Sequence, residues 1–523
     1  MVDVTDQTGM SFVHTDGASG RHYVVESMLA GLAIFDYDGD GLLDVYCLNG
    51  SALPGTVVAT PPTNVLYRNL GGFKFQDVTE KAGVADAGYG LGVVAGDYDN
   101  DGDYDLVISN FGPNSFYLNN GDGTFTDITG FTGTSAGERF GAGVAFLDIE
   151  GDGDLDLYCA NYQKFTFDQH ITRMVRGYQF HPGPADYPPE PDMLFRNNGD
   201  GTFSDISEES GVSTVAGTGM GVIATDIEPD GDCDIVVAND SRPNFLFVND
   251  GQGRFSENAM LAGFALDRAG RANGNMGVDC GDADGDGLID IITTTFQAEM
   301  PVLYRNEGGG FFADVTNASR VSTSLLPHVN WGVSFTDFDR DGDRDIFIAC
   351  GHFMDNIQYI DDRTTMMVQN YLLQNDGRGR FQDVSPMAGS GMQIIKSSRG
   401  AAIDDLDNDG RPDAVILNFN DQLSALQNRS ADSNHWLGIR LVGVTSNRDG
   451  AGARVTLLCN GVRQVAEVYN GRGYQSHYGT QLFFGLGADL PDSMTVEVAW
   501  PGGKSQAYTI TSIDQTVLLI QTE

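Results

Sequence analysis

The sequence predicts an all-β protein: a seven-bladed β-propeller with calcium loops, followed by a small C-terminal β-sandwich. Three observations carry this prediction. An acidic nonapeptide recurs seven times at intervals of 51 to 78 residues. Each copy lies between two apolar runs of strand length and leads toward a strand, tight turn, strand pattern. Past residue 430 the repeat stops, and shorter alternating runs separated by Gly, Asn and Asp take over.

The nonapeptides have an acid at positions 1, 3, 5 and 9 and Gly at position 6. The first three copies supply Asp36, Asp38, Asp40 and Asp44; Asp97, Asp99, Asp101 and Asp105; and Asp148, Glu150, Asp152 and Asp156. The next two supply Asp226, Glu228, Asp230 and Asp234, then Asp282, Asp284, Asp286 and Asp290. The last two supply Asp337, Asp339, Asp341 and Asp345, then Asp405, Asp407, Asp409 and Asp413. A calcium-sized cation takes six to eight oxygens at about 2.3–2.6 Å. Carboxylates at alternate positions converge on it only if the chain curls, and Gly at position 6 permits the sharp turn. Position 7 varies (Leu42, Asp103, Arg411), which suits a ligand supplied by the backbone carbonyl. Magnesium fits less well, because it keeps its waters and takes fewer protein ligands. The cofactor expectation is therefore Ca2+, up to seven ions. An EF-hand is excluded: it needs flanking helices and Glu at position 12. Here β-rich runs such as DVYCL, DLVIS and DIFIA follow.

The second half of each unit reads NVLYRNLGGFKFQDVT from Asn64, NSFYLNNGDGTFTDIT from Asn114, DMLFRNNGDGTFSDIS from Asp192, and so on through Tyr371. That is a hairpin closed by an Asn/Asp-Gly turn. Four strands per unit and seven units make a propeller. The seventh unit lacks its fourth strand, and Asp3-Val4-Thr5 matches the DVT that closes other units. The N-terminus is expected to complete the last blade and lock the ring, leaving little ordered chain before Met1. The expected domains are a propeller over 1–430 and a sandwich over 431–523.

These loops and hairpins resemble FG-GAP/VCBS repeats, as in the integrin α-subunit propeller. The C-terminal part resembles the ASPIC/UnbV domain through Asn434-His435-Trp436-Leu437, NRDGAGARVTL from Asn447, NGRGYQSHYGTQLFFGLG from Asn470 and AWPGGKSQ from Ala499. Together they resemble the cartilage acidic protein family, which has many bacterial members. The stretch NGRGYQSHYG departs from the Gly-Gly-Gly-Tyr-Leu-Ser-Gln run more usual there. The resemblance implies calcium binding and secretion, and it implies no particular activity. Read from the residues alone, WLGIRLVGV, ARVTLLC, MTVEVAW and TVLLIQ are the strands of the sandwich, with Trp436 and Trp500 in its core.

Composition narrows the functions. The 523 residues carry 73 acids against 30 Lys and Arg, a net charge of −43. Nucleic acid and anionic membrane surfaces, which need clustered cations, are excluded as partners. Hydrophobic residues at 41% and charged residues at 20% distinguish the chain from a disordered acidic tail. No run of 18 apolar residues exists, so no membrane-spanning helix is expected. The six cysteines form no CxxC and read as buried strand residues. The N-terminus carries no signal peptide. The protein is then secreted or periplasmic after loss of a signal, or else cytoplasmic.

The face opposite the metal loops is where a ligand is expected. Three connections between the second and third strands are enlarged: 48–63, 161–191 and 351–369. The middle one carries Phe165, Phe167, His170, Tyr178, Phe180, His181 and Tyr187, suited to a lid or a ligand surface. A glycine stands five residues before each first Asp, from Gly31 to Gly400, as close approach around a channel demands. Just upstream lie the candidate catalytic residues Glu26, Arg139, His328 and Arg399, with Glu26 and His328 a potential acid/base pair. The candidate ligand residues are Tyr89, Asn275, Asn330, Lys396, Tyr178 and His181, with Asn273 on the same rim. Matches to catalytic strings fall only in Gly/Asn-rich turns, outside the strand and helix context they need. Two functions fit: an extracytoplasmic binding or adhesion module for a glycan or protein, and a calcium-dependent enzyme acting on a small molecule or polysaccharide at the channel mouth.

Overall fold

The computed structural model describes residues 1–28, 30–321, 323–489 and 494–522. Seven four-stranded antiparallel sheets form seven blades. Blade 1 is typical: Leu32–Phe35, Asp44–Cys47, Val65–Asn69 and Phe75–Asp77 pair in sequence order. The two inner strands of each blade are apolar on both faces because a blade packs on each side of them, so Leu32, Ile34, Val45 and Tyr46 are all buried. The outer strands alternate, as Phe75 buried beside exposed Gln76 shows.

Blade 7 joins the chain ends. Val2–Asp3 pairs with Ser424–Gln427 in the register Val2↔Gln427, and Val4 N–H donates to the Ala425 carbonyl at 3.0 Å. The innermost strands touch in cyclic order, and Ser398–Asp404 of blade 7 meets Leu32–Phe35 of blade 1.

The glycines of the inner strands are the keystones of this ring. A Cβ on Gly277 would stand 2.3 Å from the Trp331 carbonyl oxygen, and one on Gly400 2.6 Å from that of Ala30. Gly92, Gly143 and Gly332 meet the next blade's backbone in the same way. No side chain fits where backbone faces backbone at this distance.

The C-terminal sandwich packs a three-stranded sheet (Leu482–Gly487, His435–Val442, Gln515–Ile520) on a four-stranded one (Val462–Glu467, Arg454–Cys459, Met494–Ala499, Ser505–Ile510). Leu437, Ile439, Val455, Leu457, Val496 and Trp500 fill its core. Trp436 is buried elsewhere, over the backbone of Gly410 in the seventh acidic loop. The sandwich therefore sits on the acidic-loop face. Glu467 Oε2 accepts from Thr225 at 2.6 Å, Asp449 Oδ2 accepts from the Asp97 N–H at 2.9 Å, and Arg340 pairs with Asp432.

From this sandwich, residues 470–479 enter the propeller channel. Ile34, Val93, Phe146 and Val278 donate backbone N–H groups to the carbonyls of His477, Gln475, Asn470 and Gly473 at 2.8–3.2 Å. The inserted segment thus bonds to the inner strands of four blades, and Tyr474 packs edge-on to Trp331 of a fifth at 5.1 Å. The channel is filled with protein rather than open.

Candidate functional site

The acidic loops share one construction. In five of the seven loops the first Asp accepts the N–H groups of positions 5 and 6: Asp36 takes Asp40 at 3.1 Å and Gly41 at 3.0 Å, and Asp405 takes Asp409 at 3.0 Å and Gly410 at 2.7 Å. In loop 2 Asp97 takes Gly102 at 2.8 Å, and in loop 5 Asp282 takes Gly285 at position 4 and Gly287 at position 6. Position 6 has positive φ in every loop, from 79° at Gly410 to 106° at Gly102, which is why it is Gly. Position 4 is left-handed too, at Gly39, Asn100, Gly151, Gly285, Arg340 and Asn408, a requirement not read from the sequence. The last Asp is buried and accepts two backbone N–H groups; Asp44 takes Tyr37 at 3.0 Å and Asn69 at 2.7 Å.

Carboxylate oxygens converge within 4.8 Å of one another in five loops: Asp36, Asp38 and Asp40; Asp97, Asp99 and Asp101; Asp282, Asp284 and Asp290; Asp337, Asp339 and Asp345; and Asp405, Asp407 and Asp413. The third and fourth loops, with Glu at position 3, form no such group among the described residues. Glu150 there leans toward Arg196 at 3.6 Å. In loop 1, Arg68 reaches Asp38 at 2.6 Å and Asp40 at 2.9 Å, a cation among the carboxylates.

The position 3 acids test whether these loops fit a metal. Asp38, Glu150, Glu228, Asp284, Asp339 and Asp407 each hold one buried oxygen without a hydrogen-bond partner, and in loop 2 the orphan is on Asp97. A carboxylate oxygen turned inward and left bare is costly unless a cation meets it. Burial pushes the carboxyls of Asp44, Asp97 and Asp290 up to about 8, with backbone N–H groups opposing it at Asp44 and Asp290. The donor set is all oxygen, which suits a hard cation.

Sequence reasoning missed the asparagine that ends the third strand of each blade. Its side-chain amide donates twice. Asn306 Nδ2 reaches the Ile289 carbonyl in its own loop and the Ile227 carbonyl in the preceding blade's loop, both at 3.2 Å. Asn69, Asn119, Asn197, Asn249 and Asn375 repeat the pattern, with Asn69 reaching Leu406 across the chain closure, and Asn428 makes the cross-blade bond, to the Phe338 carbonyl at 2.8 Å. The signal was in the hairpin motif, where this Asn recurs at one place.

On the opposite face, a pocket of about 180 Å³ opens between blades 1, 6 and 7 beneath the 161–191 connection. Among its lining residues are Asp16, Glu26, His181, Phe353, Asn356 and Phe419. The connection folds into a hairpin, Arg173–Val175 with Tyr178–Phe180, and packs down as a lid. Tyr178 stacks on Tyr359 at 5.5 Å, and Gln179 donates to the Arg21 carbonyl at 2.9 Å.

The rim candidates do not all meet. Glu26 faces His181, not His328: His181 Nε2 lies 3.7 Å from its carboxylate, and the Ser19 hydroxyl donates to it at 3.4 Å. Burial would raise the Glu26 carboxyl, yet His181 and the Tyr23 and Ser19 backbone hold it below the usual range. His328 instead contacts Thr364 at 3.0 Å. Arg139 pairs with Glu190 at 2.7 Å and lines a separate, open cleft with Lys164. Tyr89 donates to the Asp16 carbonyl at 2.9 Å, and Lys396 to the Gln422 carbonyl at 2.7 Å. Asn275 bonds to Asn244 and Thr293, and Asn330 to the Thr295 and His328 carbonyls. Asn273 is buried, with its backbone carbonyl accepting from Ser241 at 2.9 Å. Arg399 is fully buried beneath the pocket.

Comparison with known proteins agrees with the repeat and the C-terminal domain. The FG-GAP-like repeat matches residues 36–108, 97–159, 226–293 and 282–348, and the ASPIC and UnbV domain matches 443–523. Cartilage acidic protein 1 of Homo sapiens is 26% identical over 390 residues, 72% of this chain and 53% of that protein. The Xenopus tropicalis protein of the same name is 25% identical over 446 residues, 80% of this chain and 62% of its own length. The chain thus spans between half and two thirds of these curated relatives. Among solved structures, an Agrocybe aegerita lectin that recognises non-reducing terminal N-acetylglucosamine overlaps 68% of this chain and 79% of its own. Its TM-score is 0.41, at 16% identity. A Bacillus licheniformis rhamnogalacturonan lyase overlaps 76% and 70%, with a TM-score of 0.38 at 12% identity.

Proposed function

We propose that this chain, built of FG-GAP-like repeats and a C-terminal ASPIC/UnbV domain, is a calcium-stabilised binding or adhesion module that works outside the cytoplasm and takes a glycan or protein on its upper face. The bare, inward-turned oxygens of the position 3 acids carry the calcium reading. The acids at positions 1, 3, 5 and 9 would hold the ions, up to seven of them. Bound calcium supplies charge neutralisation, so that carboxylates packed this closely no longer repel. Extracellular calcium is plentiful enough to fill such sites even at modest affinity.

The placement of surfaces supports binding as the task. The sandwich covers one face and its inserted segment fills the channel, so the lid-covered pocket and the rim around it remain for a partner. The pocket offers carboxylates and amides for hydroxyl groups and the rings of Phe353 and Phe419 for apolar faces.

One observation favours an enzyme instead: the buried Glu26–His181 pair, which has the makings of a general base. Incubating the calcium-loaded protein with an array of glycans, reading retention and product release together, separates the two. Retention without turnover, lost on deletion of 173–180, is the expected result. Release of cleaved product, abolished in Glu26→Gln, would replace the binding reading with the enzymatic one.

A further inference from the structure

Six of the eight histidines lie on the upper side of the propeller, and two of them flank a buried cation. Arg399 is 1% exposed. Its guanidinium is held between the rings of Trp331, 4.3 Å away, and Phe419, 4.8 Å away. One nitrogen, Nη1, is satisfied by the Ser397 hydroxyl and the Ser398 carbonyl, both at 2.9 Å. Nε and Nη2 have no hydrogen-bond partner, and among the described residues no carboxylate forms an ion pair with the group, Asp16 acting on it only at longer range. A buried guanidinium ordinarily pairs with an acid.

The neighbouring histidines are in the same condition. His14 Nδ1 accepts the Asn420 N–H at 3.2 Å, and His352 Nδ1 accepts the Met354 N–H at 3.0 Å. A ring nitrogen that accepts carries no proton, so in both neutral rings Nε2 is the N–H donor. Both Nε2 atoms are buried and unpartnered. His352 joins Arg399 through Ser397, whose hydroxyl donates to the His352 carbonyl at 2.7 Å. His14 joins it across Phe419, at 6.2 Å between ring centres.

This tautomer decides the class of ligand. A metal at Nε2 would need a bare nitrogen there and Nδ1 donating outward. The backbone imposes the reverse, so the cluster offers donors only. We infer that Arg399, His14 and His352 form a binding site for a carboxylate, seated beneath the upper pocket and reached past Phe419 and Met354. The inference rests on the upper face being the ligand face, and it names the ligand's anionic group. Arg399 supplies the charge and a planar pair of donors; the two imidazoles cap the remaining lone pairs. Glu26, Asn356 and His181 above it are then placed for the hydroxyl groups of an acidic sugar.

The test uses the whole calcium-loaded protein. Crystals soaked in bromide should show an anomalous peak among the three side chains. In solution, acetate and galacturonate should both raise the melting midpoint, galacturonate more. His352→Phe should weaken acetate binding by about tenfold or more, the loss of one charge-assisted contact. If Arg399→Met fails to fold, His14→Phe supplies the second variant. Acetate binding without a gain for galacturonate keeps the carboxylate site and removes the acidic sugar. Ordered waters on these donors with no bromide peak, or acetate binding unchanged in both histidine variants, would overturn the site. Retention of a neutral glycan alongside that failure would leave the binding module standing without it.

Discussion

Asn306 shows how one side chain can hold two blades. Its amide is the sole link among the described hydrogen bonds between its own Ile289 carbonyl and the neighbouring Ile227 carbonyl. Asn306→Ala strands both buried acceptors, which should cost about 2–4 kcal/mol. Urea unfolding measures it; a loss below about 0.5 kcal/mol would mean that the amide does not clamp. The acids are tested separately. Asp282→Ala removes the residue that accepts the Gly285 and Gly287 N–H groups at 2.8 and 2.9 Å. The variant should hold one calcium fewer by elemental analysis and melt lower, and unchanged metal content would refute the assignment. The acids and the position 6 glycine were legible from spacing alone, because the turn is local. The asparagine was visible as a repeat, but its reason lies in a carbonyl 79 residues away.

At the scale of elements, the hairpins, the acidic loops and the closing strand at Val2–Asp3 all follow from local pattern. The inserted segment at 470–479 does not. Its sequence carries no repeat or alternation that places it, and only the docking of the sandwich brings it into the channel. There Arg472 makes a bidentate pair with Asp279, at 2.8 and 2.7 Å, with both side chains buried. Arg472→Met leaves an unpaired carboxylate in the channel and should cost about 3–5 kcal/mol. The double variant Arg472→Met, Asp279→Leu should recover most of that loss. Equal instability of single and double variants in thermal melts would show that the segment is held by its backbone bonds alone. The rim was only partly legible for a related reason. Sequence placed Glu26 and His181 on one face, but which histidine meets Glu26 depends on how the lid folds back, and the lid has no repeat to guide it.

For the molecule as a whole, the ring, the sandwich and the inserted segment form one body, so buried groups throughout report on its stability. His14, His352 and His477 are held to about 3 by burial, with the positive charge of Arg399 or Arg472 adding to it. The fold binds these rings neutral. Their contribution is therefore complete above the unfolded value of 6.5 and is lost as pH falls from there toward 3. At saturating calcium the urea midpoint should fall between pH 7 and pH 5, about one proton less steeply in His477→Phe. An identical slope in that variant would show that His477 is not buried neutral.

Calcium is the claim on which the rest depends. The most direct test is the melting midpoint of chelator-stripped protein across buffered free calcium, with magnesium as the parallel series. The midpoint should climb steeply with calcium and only weakly with magnesium, because calcium binds the loops of the folded ring and not the unfolded chain. A midpoint indifferent to calcium, or matched by magnesium, would contradict it.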